Sequence, residues 1–427
     1  MDKKDWKFAT KAIQEGYNPQ SGDPRILPIY QSTTYYYDDA DHLASLFDLQ
    51  VAGHMYSRMS NPTLEALENK ITALEGGVGA LATSSGQAAI TIAILNICQA
   101  GEHVIALSTL YGGTYTLFSV TLKKLGIDVT FISPDADLQE IQAAIRPDTK
   151  AIYAESIGNP SLNVLDFEKY SQVAKKNEIP LIIDNTFPTP YLCRPFEHGA
   201  NIVVHSTTKY IDGQARTVGG VIVDGGNFNW KNGKFPGLDE PDPAYHGMRY
   251  TETFGNQAYI VKARSQFMRD LGMTMSPFTA FILHMGIETL ALRMDRHSEN
   301  ALKLAEYLQG NDKVAWVNYP SLKGNDSYNL SQKYLANGCS GMMTFGLKGG
   351  VEAGKKFINS VKLAAQVVHM GDTRTCVLHP ASTTHRQLSE EEQRSSGVLP
   401  DMIRVSVGIE DIDDIIKDLE QAINCSG

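Results

Sequence analysis

"PLIIDNTFPTPYLCRPFEHGANIVVHSTTKY", residues 180–210, contains two short apolar runs that each end in polar residues. The first run closes with Asp184, and the second closes with Ser206, Thr208 and Lys209. Short β-branched runs bounded by turn-forming residues are typical of buried strands. In open α/β sheets, ligands lie outside the carboxyl ends of the strands. The stretch therefore predicts two strands of an α/β sheet, with a carboxylate and an amine at its ligand-binding edge.

Further apolar runs alternate with helical patterns on both sides of this stretch. "HVIALS", "DVTFIS" and "AIYAESI" have the strand pattern, whereas "DFEKYSQVAKKN" has the helical one. Strands that alternate with helices imply parallel pairing through crossovers. We therefore expect a large, mostly parallel α/β domain over residues 61–275.

The flanking regions have a different character. Residues 1–60, rich in Pro, Gly, Asn and Tyr, predict an extended arm that packs on a partner chain. Residues 225–257 predict a long loop insertion within the α/β domain. The amphipathic pattern that begins near residue 276 predicts a smaller C-terminal α/β domain over 276–427, because strand patterns and a final helix follow it.

Composition excludes several classes of protein. The chain has 427 residues and a formal net charge of −10, which disfavours nucleic acid as a partner. No apolar run approaches the roughly 18–20 residues that span a bilayer, so we expect no membrane segment. The five cysteines are scattered without a C-x-x-C pair, as in reduced cytoplasmic proteins.

"TSSGQAAITIAILN", residues 83–96, places Ser85 and Gly86 just before a helical run. Free N–H groups at a helix start bind phosphate. Pyridoxal phosphate needs three groups: an anion site for its phosphate, an acid for its ring nitrogen and a lysine for a Schiff base. The chain offers them in this order, as the start of the helical run, Asp184 and Lys209. Each feature alone is explained by a helix cap, a turn or a surface charge. Their joint occurrence in this order predicts the cofactor site.

Three alternatives compete with this interpretation. Gly77, Gly79 and Ala82 match the dinucleotide pattern G-x-G-x-x-A, but a helical pattern precedes them where the motif requires a strand. His379 and His385 are a possible metal pair, yet no cysteine or acid stands at ligand spacing, so we expect turn or core histidines and no metal. A binding or structural protein of the same shape would need no Schiff base.

Several stretches together resemble the pyridoxal-phosphate enzymes of cysteine and methionine metabolism over essentially the whole chain. The matching stretches are "YSRMSNPT", "SSGQAAI", "LYGGTY", "ESIGNP", residues 184–210, "HPASTTH" and "IRVSVGIEDIDDI". The resemblance implies the aspartate-aminotransferase-like fold type I, pyridoxal 5'-phosphate as cofactor, and a homotetramer whose sites are shared between subunits.

The resemblance also implies roles for individual residues. Lys209 would form the Schiff base, Asp184 would hold the ring-nitrogen proton, and Tyr111 would stack on the ring and assist proton transfer. Asn159 would touch the phenolic oxygen of the ring, and Arg404 would bind the substrate α-carboxylate. The phosphate would be surrounded by Ser85, Gly86, Gln87, Ser206 and Thr208, together with Tyr56 and Arg58 of a neighbouring subunit.

Two features favour one branch of the family. The "GLDEPDPAYHG" loop resembles the insertion of the O-acetylhomoserine sulfhydrylases, and Gly113 stands where methionine γ-lyases carry cysteine. The implied reaction is γ-replacement, in which O-acetylhomoserine and sulfide or methanethiol give homocysteine or methionine and acetate. A methionine γ-lyase, a cystathionine lyase and a cystathionine γ-synthase remain as alternatives. His369 departs from the Ser or Asn usual in relatives, which leaves substrate choice near it open.

Overall fold

The computed structural model describes residues 5–383, 386 and 397–426, and its larger sheet has seven strands. These strands are β1 (Gly79–Thr83), β2 (His103–Leu107), β3 (Asp128–Ile132), β4 (Thr149–Glu155), β5 (Leu181–Asp184), β6 (Ile202–His205) and β7 (Gly220–Asp224). Their order is β1-β7-β6-β5-β4-β2-β3. Pairing is parallel from β3 to β6, whereas β7 is antiparallel to both of its neighbours. The expected mostly parallel sheet is confirmed.

A second sheet of five strands follows in the C-terminal part. Its strands are β8 (Val314–Asn318), β9 (Met342–Leu347), β10 (Ala365–Gln366), β11 (Cys376–Leu378) and β12 (Met402–Ser406), in the order β10-β11-β12-β9-β8. Only β10 and β11 pair in parallel among these described strands. We propose that 61–275 and 276–427 are separate domains, since each range contains one sheet.

Helices cover both faces of the larger sheet and one face of the smaller. They are α1 (Phe8–Gln14), α2 (Ala40–Phe47), α3 (Pro62–Glu75), α4 (Gly86–Leu95), α5 (Gly112–Thr116), α6 (Leu122–Lys124), α7 (Leu138–Ala143), α8 (Phe167–Lys176), α9 (Thr189–Leu192), α10 (Pro236–Asp239), α11 (Tyr250–Thr253), α12 (Ala258–Lys262), α13 (Arg269–Leu271), α14 (Pro277–Glu288), α15 (Leu290–Gln309), α16 (Tyr328–Tyr334), α17 (Gly350–Ser360) and α18 (Ile412–Ser426). None of the helices in the described part of the chain is both long and apolar enough to cross a bilayer.

The larger sheet separates two apolar cores. Ile183 and Val203 face the core that contains α3, whereas Ile182 and Val204 face the core that contains α4. Successive residues of a strand point to opposite faces, so a strand covered on both faces has to be apolar throughout. This double burial explains the uninterrupted runs "LII" and "IVV".

The structure differs from the sequence-based expectation in three places. The arm contains helices α1 and α2, and Ala12 of α1 is fully buried in the core on the α3 side. The 225–257 insertion contains the short helices α10 and α11. Helices of four to eight residues gain their stability from tertiary packing. Their hydrophobic periodicity covers too few residues to be recognised in the sequence. Strands β1 and β7 were not expected either.

Leu304→Ala tests the contribution of α15 to the core. Leu304 is fully buried, so the substitution is expected to lower the free energy of unfolding by about 2–5 kcal/mol. Leu292→Ala is the control on the same helix, because Leu292 is 74% exposed. Denaturant unfolding of both variants measures the difference, and equal losses would contradict the packing described here.

Candidate active site

A cavity of about 220 Å³ lies where β4, β5 and β6 end and α4 begins. Its walls include most of the predicted site residues: Ser85, Gly86, Gln87, Tyr111, Asn159, Asp184, Ser206, Thr208 and Lys209. Carboxyl ends of parallel strands meet at one edge of the sheet, which is why residues far apart in sequence converge here. The structure therefore places these nine residues around one cavity at the edge of the sheet.

The start of α4 forms the anion-binding end of the cavity. Ser85 caps the helix by accepting the Ala88 N–H at 3.1 Å. Gly86 and Gly220 allow three backbone segments to meet: a Cβ on Gly86 would lie 2.7 Å from Ser206 Cβ, and one on Gly220 only 2.1 Å from the Ser85 carbonyl oxygen. These close approaches bring the start of α4, Ser206 and Thr208 to one end of the cavity, where a helix start suits a phosphate.

Asp184 is held by the turn that follows β5. Its Oδ1 accepts the Thr186 hydroxyl at 2.5 Å and the Thr186 N–H at 3.0 Å, while Oδ2 accepts the Tyr153 hydroxyl at 3.4 Å. Burial raises the pKa of this carboxyl, and the Thr186 hydrogen bonds oppose the rise. Asp184 is thus a partly buried carboxyl group whose orientation is set by these hydrogen bonds.

Lys209 lies in the turn after β6, where its N–H donates to the Ser206 carbonyl at 3.3 Å. Burial, and then the charge of Arg404, lower the pKa of the Lys209 amine from 10.5 to about 8. An amine of this kind reacts as a nucleophile or base near neutral pH more readily than an exposed lysine does.

Glu155 is a site residue that the sequence analysis missed. It ends β4 beside Asp184, with which it pairs in register, and its Oε1 accepts the Tyr111 N–H at 2.7 Å. Burial and the neighbouring Asp184 raise its pKa well above the ordinary value. The "AESIGNP" stretch could have revealed it, since Glu155 closes a strand just as Asp184 does.

Arg404 approaches the site from β12 of the second sheet. Its Nη1 donates to Asn159 Oδ1 at 3.3 Å, and the residue is only 7% exposed. Burial lowers the pKa of the guanidinium to about 10. The second sheet thereby contributes a buried cation beside Asn159.

Gly113 sets the position of the Tyr111 ring. A Cβ on Gly113 would lie 2.6 Å from Tyr111 Cε1, which is shorter than any acceptable contact. A cysteine at this position would therefore displace the ring. The orientation of the Tyr111 ring therefore depends on the absence of a side chain at Gly113.

Tyr56 and Arg58 do not line the cavity of their own chain. The Arg58 guanidinium carbon lies 5.2 Å from the centre of the Tyr56 ring, and Nη1 donates to the Arg269 carbonyl at 3.0 Å. Within one subunit the pair is thus separate from the site.

The three histidines singled out by the sequence have different surroundings. His379 contacts the Ser382 hydroxyl and the Pro400 carbonyl, while His385 lies outside the described residues. No cluster of three or more potential metal ligands occurs in the described ranges. The buried Nε2 of His369 has no hydrogen-bond partner there either, and its pKa is lowered by burial and by the Lys209 charge.

The insertion does not cover this cavity. Residues 234–244 line a separate, larger cavity of about 580 Å³ beside Cys98 and Lys262, at the opposite end of α4. A ten-residue helix separates the two by about 15 Å. Within one chain, the "EPDPAYHG" stretch, residues 240–247, therefore lies away from the cavity that holds Lys209.

Pyridoxal phosphate fits the groups that the smaller cavity provides. The phosphate matches the N–H groups of α4 with the hydroxyls of Ser206 and Thr208, and the ring nitrogen matches Asp184. The Lys209 amine suits the aldehyde.

Comparison with known proteins agrees with this fit. A family model described as Cys/Met metabolism PLP-dependent enzyme matches residues 9–424. The chain belongs to this family. Its cofactor is accordingly pyridoxal phosphate, and the cofactor predicted from the sequence is confirmed.

Relatives extend over nearly the full length of the chain. The O-acetyl-L-homoserine sulfhydrylase of Leptospira meyeri is 49% identical over 98% of this chain and 97% of its own. The homocysteine synthase of Schizosaccharomyces pombe is 50% identical over 97% of this chain and 98% of its own. A crystal structure of a putative O-acetylhomoserine (thiol)-lyase from Campylobacter jejuni, which contains a pyridoxyl-lysine phosphate, matches with a TM-score of 0.95 at 38% identity over 98% of this chain and 100% of that one. This likeness confirms the fold class.

The lowered pKa of Lys209 predicts how the apoprotein takes up its cofactor. Only the unprotonated amine attacks an aldehyde, so the rate of covalent uptake should rise about tenfold per pH unit below pH 8 and level off above about 8. Borohydride reduction followed by peptide mapping at each pH measures this rate. Lys209→Ala is the control and should give no fixed cofactor. A rate that keeps rising to pH 10 would contradict the low pKa.

Proposed function

We propose that the protein is an O-acetylhomoserine sulfhydrylase, which joins O-acetylhomoserine and sulfide, or a small thiol, to give homocysteine, or methionine, and acetate. The observation that carries this proposal is the convergence of Lys209, Asp184 and the start of α4 on one cavity. The sulfhydrylase and homocysteine synthase names of full-length relatives support the choice within the family.

Each wall of the cavity has a part in holding the cofactor. Lys209 binds it covalently, Asp184 holds the proton on the ring nitrogen, and Tyr111 and Asn159 contact the ring. The phosphate is bound by Ser85, Gly86, Gln87, Ser206 and Thr208. The cofactor supplies a conjugated ring that takes up the electron pair left when an α-proton is removed.

The remaining steps fall to the protein's own side chains. Arg404 binds the substrate carboxylate through its planar guanidinium. The Lys209 amine, once free, removes the proton at the α-carbon and helps to move a proton at the β-carbon, and Tyr111 assists it. Acetate leaves from the γ-carbon, and sulfide or a thiol forms its bond to the same carbon.

We also propose a cytoplasmic homotetramer in which Tyr56 and Arg58 complete the phosphate site of a neighbouring subunit. Exposed apolar side chains in the arm support this assembly, among them Tyr36, which is 90% exposed. Arg58 does not line the cavity of its own chain, which supports a role for it in the site of a neighbouring subunit.

Product analysis tests the proposed reaction. With O-acetylhomoserine and sulfide, homocysteine should form with only minor 2-oxobutyrate, because the proposal requires capture of the γ-carbon by sulfur. Methionine supplied alone should remain largely unchanged. The control is Lys209→Ala, which should form neither product. Faster release of ammonia and an oxo acid from methionine or cystathionine than conversion of O-acetylhomoserine would favour a lyase.

Subunit mixing tests the shared site. Arg58→Ala should weaken cofactor binding by about 1.5–3 kcal/mol, the contribution of a charge-assisted hydrogen bond. Mixing Arg58→Ala with Lys209→Ala subunits should restore part of the activity, because a hybrid can contain one intact composite site. Demonstrated subunit exchange without any recovery would show that Arg58 acts within its own chain.

A further inference from the structure

A buried pair of ionisable residues lies on the far side of the sheet from the cofactor cavity. Glu75 is the last residue of α3, and His205 is the last residue of β6. His205 Nε2 and Glu75 Oε1 are 2.5 Å apart, and both side chains are fully buried. A buried carboxylate is costly unless it is paired, so this contact is specific rather than incidental.

The pair also holds the end of the neighbouring strand. Asn185, which follows Asp184 directly, donates from Nδ2 to Glu75 Oε1 at 3.2 Å and to the Cys193 carbonyl at 2.8 Å. The Asn185 Oδ1 accepts the Ser156 hydroxyl at 2.8 Å. A single carboxylate from α3 thus fixes the ends of β5 and β6 together.

On the cavity side, residues next to Asn185 and His205 in the sequence also contact each other. The Ser206 N–H donates to Thr186 Oγ1 at 2.9 Å, and that hydroxyl donates to Asp184 Oδ1. Alternate residues of a strand point to opposite faces, so Glu75 holds Asn185 and His205 from behind while Asp184 and Ser206 face the cavity. Any shift of the Glu75 pair would move both cavity residues.

The pair also bears on the electrostatics of Asp184. Burial raises the pKa of Asp184, the Thr186 hydrogen bonds oppose this rise, and a positive charge on His205 would oppose it further. Glu75 Oε2 and His205 Nδ1 have no hydrogen-bond partner within the described part of the chain. Unsatisfied buried polar atoms are uncommon in folded proteins and call for a reason.

We propose that Glu75 and His205 are positioning residues, which hold Asp184 and Ser206 in place from the opposite face of the sheet. This inference rests on the proposed roles of Asp184 and Ser206 in cofactor binding. Neither Glu75 nor His205 touches the cavity, so both act through the backbone of β5 and β6 and through charge.

Glu75→Gln tests the proposal, since it removes the charge and keeps the size of the side chain. Groups that orient ligands from behind contribute about 10–100-fold at metal sites, and we expect affinity for pyridoxal phosphate to fall about tenfold. The pH dependence of the visible absorbance of the bound cofactor should differ between this variant and the wild-type protein. In steady-state assays kcat should fall while KM for O-acetylhomoserine stays within about twofold, because Arg404 lies outside the network.

Glu68→Gln is the matched control. Glu68 is a second buried carboxylate on α3, but it pairs with Arg264 at 2.7 Å and accepts the Ala82 N–H at 2.8 Å, away from Asp184. This variant should lose stability without any change in cofactor affinity or absorbance. If Glu75→Gln behaves in the same way, the positioning role is wrong.

His205→Gln provides a second route should Glu75→Gln not fold. Unchanged cofactor affinity and absorbance in that variant would also overturn the inference. A different result would contradict the proposed function, namely a wild-type enzyme that does not convert O-acetylhomoserine with sulfide. A yellow wild-type protein with altered Glu75→Gln absorbance would still support the positioning role in that case.

Discussion

The hydrogen bonds from Thr186 to Asp184 hold a partly buried carboxylate at the end of β5, and the rest of the site is arranged around it. Moving a carboxylate out of water is costly, so the fold has to supply donors before any ligand arrives. Thr186 supplies two of them and also accepts the Ser206 N–H, which joins β5 to β6. One edge of the sheet therefore holds the carboxylate, the hydroxyls of the anion site and the turn that contains Lys209.

Two cations lie at this site: Arg404, which is buried, and Lys209, which is partly buried. No ion pair is found for Lys209 or Arg404 among the described residues, and Arg404 donates to the neutral amide of Asn159. Burial lowers the pKa of both groups, since each lacks a carboxylate that would stabilise its charge. A site with unpaired cations at one side and a helix start at the other favours a ligand with anionic groups. Both the cofactor phosphate and the substrate carboxylate of the proposed reaction meet this condition.

The sequence predicted the parts of the fold and site that depend on local pattern. Strand β3 is partly exposed, and its β-branched residues made it recognisable. Strands β2, β4, β5 and β6 were recognisable because burial on both faces favours apolar runs, and Asp184 and Lys209 because they end or follow such strands. The same rule, applied to β4, would have identified Glu155. Glu75 and His205 lie 130 residues apart, and only the packing of α3 on the sheet brings them together. The position of the insertion at the far end of α4 likewise depends on tertiary packing that no local pattern encodes.

Within one chain the insertion lies at the other end of α4, so the part of one subunit that can favour sulfur capture over hydrolysis in the proposed reaction is the wall of the cavity itself. Glu155 accepts the Tyr111 backbone N–H, and Gly113, which has no side chain, leaves space beside the ring. Apolar side chains form much of the cavity wall: Ile90, Ile157, Phe187, Val218 and Met370. Apolar walls disfavour ordered water while leaving room for a polarisable sulfur nucleophile. In the proposed reaction, the placement of Tyr111 and the apolar character of these walls together favour bond formation between sulfur and the γ-carbon over reaction with water.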